Sequence, residues 1–348
     1  MNVPLHIILS SNERYMPGAT VALASVAVSA QPETTLHFHV FTEDVKRDTM
    51  SFLETMLKRL HPKSLVTEHV CDENILAGLP SYAGSRMSWV RCFYSRLLPE
   101  VDWALYLDCD VLYLASPEEH FSYIDDSVYA CVAKDMSASA PQEDKAWAKR
   151  ECGIELNTES YFNAGVMLFN FKKFREDGIP EKVSEFIKAH PKTRYADQTA
   201  MNVLFNGQNI KVIPQKFDWL QIFLDDDVLV QRPVIHYVNG IPWLPRLSAV
   251  ANGRFRLWHA FADKYVWERN GESCRRLFSS RTVFFKRLFY LILKMPVIGW
   301  CFAHFLAAVR LINNATGWRQ VQVGHDVKRW DWVLEEQEEV CARPGHLY

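Results

Sequence analysis

Short apolar runs alternate with amphipathic segments along the N-terminal part of the chain. Residues 5–10, 36–42 and 65–70 are apolar or weakly alternating and predict strands. Pro17 suits the first turn of a helix, and residues 46–60 predict a second helix with one apolar stripe, formed by Met50, Leu53, Leu57 and Leu60. The resulting β-α-β-α-β order is typical of a mostly parallel α/β sheet.

The pattern continues after a loop at residues 77–88, which is rich in Gly, Pro and Ser. The later segments predict, in chain order, a helix at 89–98, strands at 103–107 and 111–114, a strand at 128–134, a polar helical excursion at 136–160, a strand in the latter half of 161–170 entered by an Asn-Ala-Gly turn, helices at 180–190 and 197–206, and a short strand at 233–237.

Asp108 and Asp110 stand between two of these apolar stretches, residues 103–107 and 111–114. Carboxylates are costly in a strand that is buried on both faces, unless something neutralises them. Ligands of open α/β sheets bind at the carboxyl ends of strands, and paired carboxylates suit Mg²⁺ or Mn²⁺. The pair therefore predicts a divalent-cation site at this edge of the sheet, because little solvated loop remains to hold two free aspartates.

Other polar positions carry candidate chemistry together with a structural alternative. His236 ends a late apolar strand, where it suits a third ligand of the same cation, although a lone histidine is more often structural. Asn163 precedes Gly165 in the predicted turn and could serve that turn alone. Asp197 and Gln198 open a predicted helix, where Asp197 could be only the N-cap.

Two further clusters favour the structural interpretation. Asp225-Asp226-Asp227 could form a second metal site, but no predicted strand positions it, so a solvated acidic loop is preferred. Core packing is likewise preferred over a sugar-stacking platform for three tryptophans, Trp89, Trp219 and Trp243.

Composition narrows the class of protein. The chain has 348 residues, of which 49% are hydrophobic and 23% charged, enough for a substantial core in one large domain or two. The net charge of −2 gives no overall indication of nucleic-acid binding. None of the eight cysteines forms a C-x-x-C pair, which argues against a zinc ribbon or a thioredoxin motif. Cys109 and Cys131 lie inside apolar runs, as buried hydrophobic residues rather than disulfide partners, which favours a reducing cytoplasm. A strand begins near the N-terminus without a signal-peptide or anchor-helix pattern, so a secretory-pathway enzyme tethered by its N-terminus is not expected.

The C-terminal part has a different character. Residues 273–325 contain no Asp or Glu but eight Lys or Arg, interleaved with apolar and aromatic residues. Such a pattern suits the surface of an anionic membrane. Lys294 and Pro296 interrupt the only stretch that approaches the roughly 20 apolar residues of a spanning helix, so interfacial association is expected over spanning. An ordinary helical subdomain packed on the sheet is the alternative.

Four motifs, taken in order, resemble glycosyltransferase family 8. They are Leu105-Tyr106-Leu107-Asp108-Cys109-Asp110-Val111-Leu112, Tyr161-Phe162-Asn163-Ala164-Gly165-Val166, Asp197-Gln198 and His236-Tyr237. The resemblance covers residues 5–260, and within the family it is strongest to bacterial lipopolysaccharide and lipooligosaccharide α-galactosyl- and α-glucosyltransferases. It implies a GT-A fold, a Rossmann-like mixed α/β sheet, and a Mn²⁺-dependent retaining transfer from UDP-galactose or UDP-glucose, with Mg²⁺ as an alternative metal.

The resemblance also implies a metal site and a donor site. The metal ligands would be Asp108, Asp110 and His236. At the uridine, the donor site would contain Asn12 and Tyr15. Arg96 would contact the donor sugar and the metal-site carboxylates, and Asn163 and Asp197 would hold the sugar hydroxyls. Asp135 would lie at the donor–acceptor junction, Gln198 on the sugar face opposite the leaving group, and Gly240 in the loop after the histidine. Asp135, Asp197 and Gln198 are the expected catalytic residues.

Two positions depart from the family pattern. The family often has acidic residues in the first polar turn, which here reads Ser10-Ser11-Asn12-Glu13-Arg14-Tyr15. Asn12 can still hydrogen-bond to uracil, and Tyr15 can still stack on it. The loop after His236 contains Gly240 but lacks the lysine that reaches the diphosphate in relatives. Arg246 could supply that charge, in which case Arg246→Ala would raise the apparent KM for the donor.

The expected protein is thus a cytoplasmic hexosyltransferase, peripherally associated with the inner face of a bacterial membrane, that acts on a lipid-linked oligosaccharide. Residues 1–265 are predicted to form the GT-A catalytic domain, and residues 266–348 the C-terminal helical, membrane-associating region. The alternatives are an Asp-x-Asp phosphohydrolase, a non-catalytic carbohydrate-binding relative and a self-glucosylating primer. The phosphohydrolase pattern usually has Thr or Val at the position of Leu112.

Overall fold

The computed structural model describes residues 3–82, 84–221, 233–238, 240–243 and 255–267. Their strands are β1 (Leu5–Asn12), β2 (Leu36–Glu43), β3 (Ser64–Val70), β4 (Trp103–Leu107), β5 (Val111–Tyr113), β6 (Ala130–Lys134), β7 (Phe162–Asn170), β8 (Ile210–Val212), β9 (Trp219–Leu220) and β10 (Val234–His236).

Helices connect these strands. They are α1 (Met16–Ser29), α2 (Arg47–Leu60), α3 (Glu73–Leu76), α4 (Met87–Val90), α5 (Tyr94–Leu97), α6 (Pro117–Phe121), α7 (Ala140–Cys152), α8 (Phe171–Glu176), α9 (Ile179–Ala189), α10 (Ala196–Phe205) and α11 (Arg256–Phe261), the last of which continues as a π-helical segment, Ala262–Trp267.

Among the described residues, seven strands form one sheet in the order β3-β2-β1-β4-β7-β6-β8. β7 pairs antiparallel with both of its neighbours, and the remaining pairs are parallel. The predicted α/β class with a mostly parallel sheet is confirmed. A second, three-stranded sheet has the order β5-β10-β9.

Both faces of the main sheet are covered, which explains why its central strands are nearly continuous apolar runs. Alternate residues of β1 enter two different cores: Ile7 and Leu9 face the core shared with α1 and α2, whereas Ile8 faces the core shared with α9 and α10. The first helix is rich in Ala and Val and is buried almost all round, because the main sheet, α2 and β5 surround it. The apolar stripe predicted for α2 is buried at Met50, Leu53 and Leu57.

Two local predictions differ from the structure. The helix predicted at 89–98 begins at Met87 and is interrupted by a 3₁₀ turn, Arg91–Phe93. The Asn-Ala-Gly turn predicted before β7 is wrong, because Asn163 to Gly165 already belong to that strand. The polar excursion at 136–160 contains α7, which ends at Gly153 in the left-handed conformation (φ 69°).

The small sheet positions the candidate site. After β4 the chain turns at Asp108–Asp110 and enters β5, whose antiparallel partner β10 places His236 opposite Val111. The end of a central strand and a histidine far along the chain therefore meet at one edge of the molecule.

The C-terminal region predicted at 266–348 lies almost wholly outside the described residues, and the boundary proposed at 265 stays a prediction. Within the described part of the chain, no helix is both long and apolar enough to cross a membrane.

Candidate active site

Backbone hydrogen bonds hold Asp108 and Asp110 at the end of β4. The Asp108 amide donates to the Gly165 carbonyl of β7 at 2.7 Å, and the Asp110 carbonyl accepts from the amide of Tyr237 at 2.9 Å. The two aspartates are thus tied to the strand beside β4 and to the segment that follows β10.

The side chains of Asp108, Asp110 and His236 converge. Nε2 of His236 lies 3.3 Å from Oδ1 of Asp110 and 3.7 Å from Oδ2 of Asp108. Each residue brings one ligand atom, and the three atoms lie within 4.8 Å of one another. Two carboxylate oxygens and one imidazole nitrogen form a donor set that fits a divalent cation such as Mn²⁺.

A buried carboxylate orients the histidine. Nδ1 of His236 lies 3.1 Å from Oδ1 of Asp218, which has no exposed surface, and this contact leaves Nε2 facing Asp108 and Asp110. Burial lowers the pKa of His236, but the carboxylates of Asp110 and Asp218 raise it well above its usual range. The site therefore favours positive charge, and a carboxylate behind a ligating histidine is the usual support of a metal centre.

Gly165 makes room for the histidine ring. A Cβ atom built on Gly165 would lie 2.0 Å from Cε1 of His236 and 2.6 Å from its Nδ1. Any side chain at this position would push the imidazole out of place, so glycine is required by close approach rather than by a turn.

Arg91 joins the metal-site carboxylates to Asp197. Its Nη2 donates to Oδ1 of Asp108 at 2.8 Å, its Nε lies 2.9 Å from Oδ2 of Asp197, and Nη1 donates to the carbonyl of Ala164. The guanidinium also lies 4.2 Å above the ring of Tyr106, whose hydroxyl donates to Asp108. Sequence reasoning missed Arg91, although a cation inside the apolar run Trp89 to Phe93 indicates a buried partner.

The contact predicted between Arg96 and the metal-site carboxylates is wrong. Arg96 lies on α5 with 48% of its side chain exposed and pairs with Glu181 of α9. Residues five apart point about 140° apart around a helix, so Arg91 can be buried while Arg96 is exposed.

Asp197 lies in the first turn of α10 and is buried. Burial raises the pKa of its carboxyl group, and the charge of Arg91 opposes that shift. Asp197 is thus a partner of the buried guanidinium, not merely the end of a helix.

Gln198, Asp135 and Asn163 form one hydrogen-bonded group. Oε1 of Gln198 accepts from the amide of Ala164 at 3.0 Å, and its Nε2 donates to Oδ2 of Asp135 at 3.1 Å. Nδ2 of Asn163 donates to the same carboxylate oxygen at 3.3 Å. The structure therefore brings these three predicted residues together beside the metal ligands, because Ala164 also contacts Arg91.

A buried carboxylate lies behind this group. Nε2 of Gln198 also donates to the hydroxyl of Tyr161 at 3.1 Å, and that hydroxyl donates to Oδ2 of Asp144 at 2.7 Å. Thr199 donates to the other oxygen of Asp144 at 3.1 Å. Burial raises the pKa of Asp144 to about 6, while its two hydroxyl partners lower it. Asp144 belongs to the excursion helix α7 and carries no pattern in the sequence that marks it.

The predicted uridine-binding turn is a compact structure at the end of β1. Asn12 closes it, since its side-chain oxygen lies 3.3 Å from the amide of Tyr15 and its backbone oxygen 2.9 Å from the same amide. The ring of Tyr15 meets Trp243 edge-on at a centroid distance of 5.7 Å. Trp243 and Trp89 are buried, as expected for core tryptophans.

Three predicted residues or clusters need separate comment. Gly240 has a positive φ of 148°, which favours glycine, and it lies in the described segment after β10. Asp225–Asp227 and Arg246 lie outside the described residues.

Comparison with known proteins identifies the family of the chain. The family model described as glycosyl transferase family 8 matches residues 6–245, and the chain belongs to this family. The matched range contains the predicted metal ligands, donor-site residues and catalytic residues and ends just before Arg246. It is 24% identical over 258 residues to a lipopolysaccharide 1,2-glucosyltransferase of Escherichia coli, covering 67% of this chain and 71% of the relative. It is 26% identical over 253 residues to a lipopolysaccharide 1,3-galactosyltransferase of Salmonella typhimurium, again covering 67% and 71%.

Among solved structures, the galactosyltransferase LgtC in complex with donor and acceptor sugar analogs matches with a TM-score of 0.61 and 22% identity, over 78% of this chain and 100% of that one. The chain therefore has the GT-A fold predicted from its motifs.

Proposed function

We propose that the protein is a retaining glycosyltransferase that moves galactose or glucose from a UDP-sugar to a lipopolysaccharide or lipooligosaccharide acceptor. The observation that carries this proposal is the convergence of Asp108, Asp110 and His236 at the end of β4, with Arg91 joining Asp108 to Asp197. The named activities of the two curated relatives, both lipopolysaccharide hexosyltransferases, support the choice of acceptor class.

Transfer of the sugar creates two opposite charges, and the proposed roles of the site residues follow from them. Departure of UDP develops negative charge on the diphosphate and positive charge at the anomeric carbon. A Mn²⁺ ion held by Asp108, Asp110 and His236 would stabilise the diphosphate as a Lewis acid, with Mg²⁺ as an alternative. Asp218 and Arg91 keep the histidine and the first carboxylate in the orientation that such an ion needs.

Asp135 and Gln198 would face the electron-poor side of the sugar. The carboxylate of Asp135 is partly exposed and accepts from Asn163 and Gln198, so its position is defined without being buried. The carboxamide of Gln198 is committed to Ala164, Asp135 and Tyr161, and a carboxamide is a poor nucleophile. We therefore favour attack by the acceptor on the face that UDP leaves. A sugar adduct trapped on Gln198 in a slowed variant would overturn this assignment.

The cellular setting follows from the acceptor. A lipid-linked oligosaccharide is presented at the cytoplasmic face of the inner membrane, and the acid-free basic and aromatic stretch at 273–325 suits peripheral attachment there. Residues 1–265 would carry the chemistry, and residues 266–348 the attachment.

The test is a donor and acceptor panel. UDP release is measured from UDP-galactose and UDP-glucose with Mn²⁺ and truncated lipooligosaccharide, and the anomeric configuration of the product is determined by NMR spectroscopy. Retention with one of the two donors is expected. Hydrolysis of simple phosphate monoesters without UDP release would indicate the phosphohydrolase alternative, and binding of glycan without turnover would indicate a carbohydrate-binding relative.

A further inference from the structure

Four histidines share one face of the three strands at an edge of the main sheet. His6 of β1 stands opposite His37 of β2, and His39 follows two residues later on the same face. His69 of β3 lies diagonally across from His39, since Phe41 is its direct partner in the register. We refer to these four residues as the histidine cluster.

The histidine cluster is separate from the candidate active site. His6 is level with Ala104 in the pairing of β1 and β4. Asp108 lies four residues further along that strand direction, which corresponds to about 13 Å. His6 and His37 therefore lie towards the amino ends of the parallel strands, whereas Asp108 and Asp110 lie beyond the carboxyl end of β4.

The imidazoles contact one another directly. Nδ1 of His6 lies 2.9 Å from Nε2 of His39, and Nδ1 of His39 lies 3.0 Å from Nε2 of His69. The rings of His37 and His39 are tilted against each other with centroids 4.0 Å apart. His6 and His37 are partly exposed, so solvent reaches the group.

We propose that His6, His37 and His39 form a binding site for a borderline-soft divalent transition-metal ion, with Zn²⁺ as the preferred ion. Each residue brings one nitrogen, and the three nitrogens lie within 4.8 Å of one another. Imidazole nitrogen suits Zn²⁺, Ni²⁺ and Cu²⁺, whereas the carboxylate-rich site of Asp108 and Asp110 suits Mn²⁺ and Mg²⁺. The protein would then hold two chemically different metal sites.

Neighbouring side chains orient the proposed ligands. Nε2 of His37 lies 2.8 Å from the hydroxyl oxygen of Thr67, and a hydrogen bond donated by Nε2–H to that oxygen leaves Nδ1 for the ion. The contact of His39 with His69 engages Nδ1 of His39 and leaves its Nε2 facing His6. Such outer partners fix the tautomer and the ring orientation of ligating histidines.

Binding requires a small rearrangement. In a tetrahedral zinc site with Zn–N bonds of 2.0–2.1 Å, two ligating nitrogens are about 3.3 Å apart. The nitrogens of His6 and His39 are 2.9 Å apart, and in the tautomer in which Nδ1–H of His39 donates to His69, the proton between His6 and His39 is carried by Nδ1 of His6. The ion would displace that proton to Nε2 of His6 and open the pair by a few tenths of an ångström, and water would complete the coordination.

Zinc titration calorimetry tests the site. Because His236 and its carboxylates could also take zinc, the full-length Asp110→Asn protein is the reference, and one zinc equivalent is expected to bind to it. Adding His37→Gln should weaken that binding by at least about tenfold, since loss of outer partners alone has effects of 10–100-fold. His190→Gln, a partly exposed histidine outside the cluster, is the matched control and should leave the affinity unchanged. Equal affinity with and without His37→Gln would overturn the proposal, as would the absence of zinc binding in the reference protein.

A footprinting experiment on the wild-type protein tests the site without relying on the folding of variants. Carbethoxylation of each histidine is quantified by mass spectrometry with and without ZnCl₂. Zinc is expected to protect His6 and His37 and to leave His190 as reactive as before. Equal modification of His6 and His37 in both conditions would overturn the proposal.

Discussion

Nδ1 of His236 lies 3.1 Å from Oδ1 of Asp218, a carboxylate without exposed surface. This pair fixes the imidazole so that Nε2 faces Asp108 and Asp110. The candidate metal site therefore depends on a residue that does not itself point at the ion.

Asp218→Asn should weaken Mn²⁺ binding by about 10–100-fold, because the outer carboxylate fixes the ring orientation and raises the basicity of the ligating nitrogen. The affinity is measured by electron paramagnetic resonance of free Mn²⁺. Asp102→Asn is the control, since that carboxylate is exposed and pairs with Arg175 instead. Equal Mn²⁺ affinity of Asp218→Asn and the wild type would contradict this role.

Gly165→Ala should displace His236, because the new methyl group would lie 2.0 Å from Cε1 of the ring. Overpacking of this kind costs about 1–3 kcal/mol of stability. We expect a folded protein with lowered thermal stability and strongly reduced Mn²⁺ affinity. Normal affinity in the alanine variant would show that the ring can move without loss of the site.

Arg91→Ala should be far more damaging than Arg96→Ala. Removing Arg91 leaves the buried carboxylate of Asp197 and part of Asp108 without their cation, and breaking such a pair costs about 3–5 kcal/mol. Arg96 forms an exposed pair with Glu181, whose loss costs about 0–1 kcal/mol. Urea denaturation of the two variants makes the comparison. Equal destabilisation would contradict the assignment of Arg91 as the buried link.

Asp144→Asn should change how stability depends on pH. Burial raises the pKa of Asp144 from 3.8 to about 6, so the folded protein binds this proton more tightly than the unfolded chain does. Its ionisation therefore destabilises the fold as pH rises, and a shift of about two units corresponds to about 3 kcal/mol.

Relative to Asp144→Asn, the wild type should thus lose stability between about pH 4 and pH 6 and show a constant difference above about pH 7. Denaturation curves at several pH values provide the measurement. Glu143→Gln is a useful control, because hydrogen bonds from Tyr195 and Arg194 lower the pKa of Glu143. The stability that Glu143 contributes should therefore rise with pH, opposite to that of Asp144. A difference between wild type and Asp144→Asn that is independent of pH would contradict the prediction.

The spacing of apolar residues along the sequence was sufficient to predict the first strands and helices of the fold. The apolar runs and the amphipathic helix with Met50, Leu53 and Leu57 predicted β1 to β4 and α2, because burial on one or two faces leaves a repeat that the residues themselves display. Carboxylates at the end of an apolar strand predicted a cation site, the resemblance to family 8 added His236 to it, and the structure brings the three side chains together.

Features set by contacts between distant segments were not predictable. Arg91 and Arg96 lie on different faces of the same helical stretch, and the packing of that stretch against distant segments decides which face meets the carboxylates. Asn-Ala-Gly is typical of a turn, yet here it belongs to β7, because the flanking residues Phe162 and Val166 pair with β6 and β4 and the Gly165 carbonyl accepts from the Asp108 amide. Asp218 lies beside two-residue β9, too short to leave a pattern.

UDP release by wild type and Asp110→Asn, with and without Mn²⁺, tests the central claim most directly. We predict that the wild type releases UDP from UDP-galactose or UDP-glucose only when Mn²⁺ or a similar divalent ion is present. Asp110→Asn should lower that rate by at least about a hundredfold, because the loss of an inner ligand exceeds the effect of losing an outer one. Release by Asp110→Asn at the wild-type rate, or release that is independent of the divalent ion, would contradict the account.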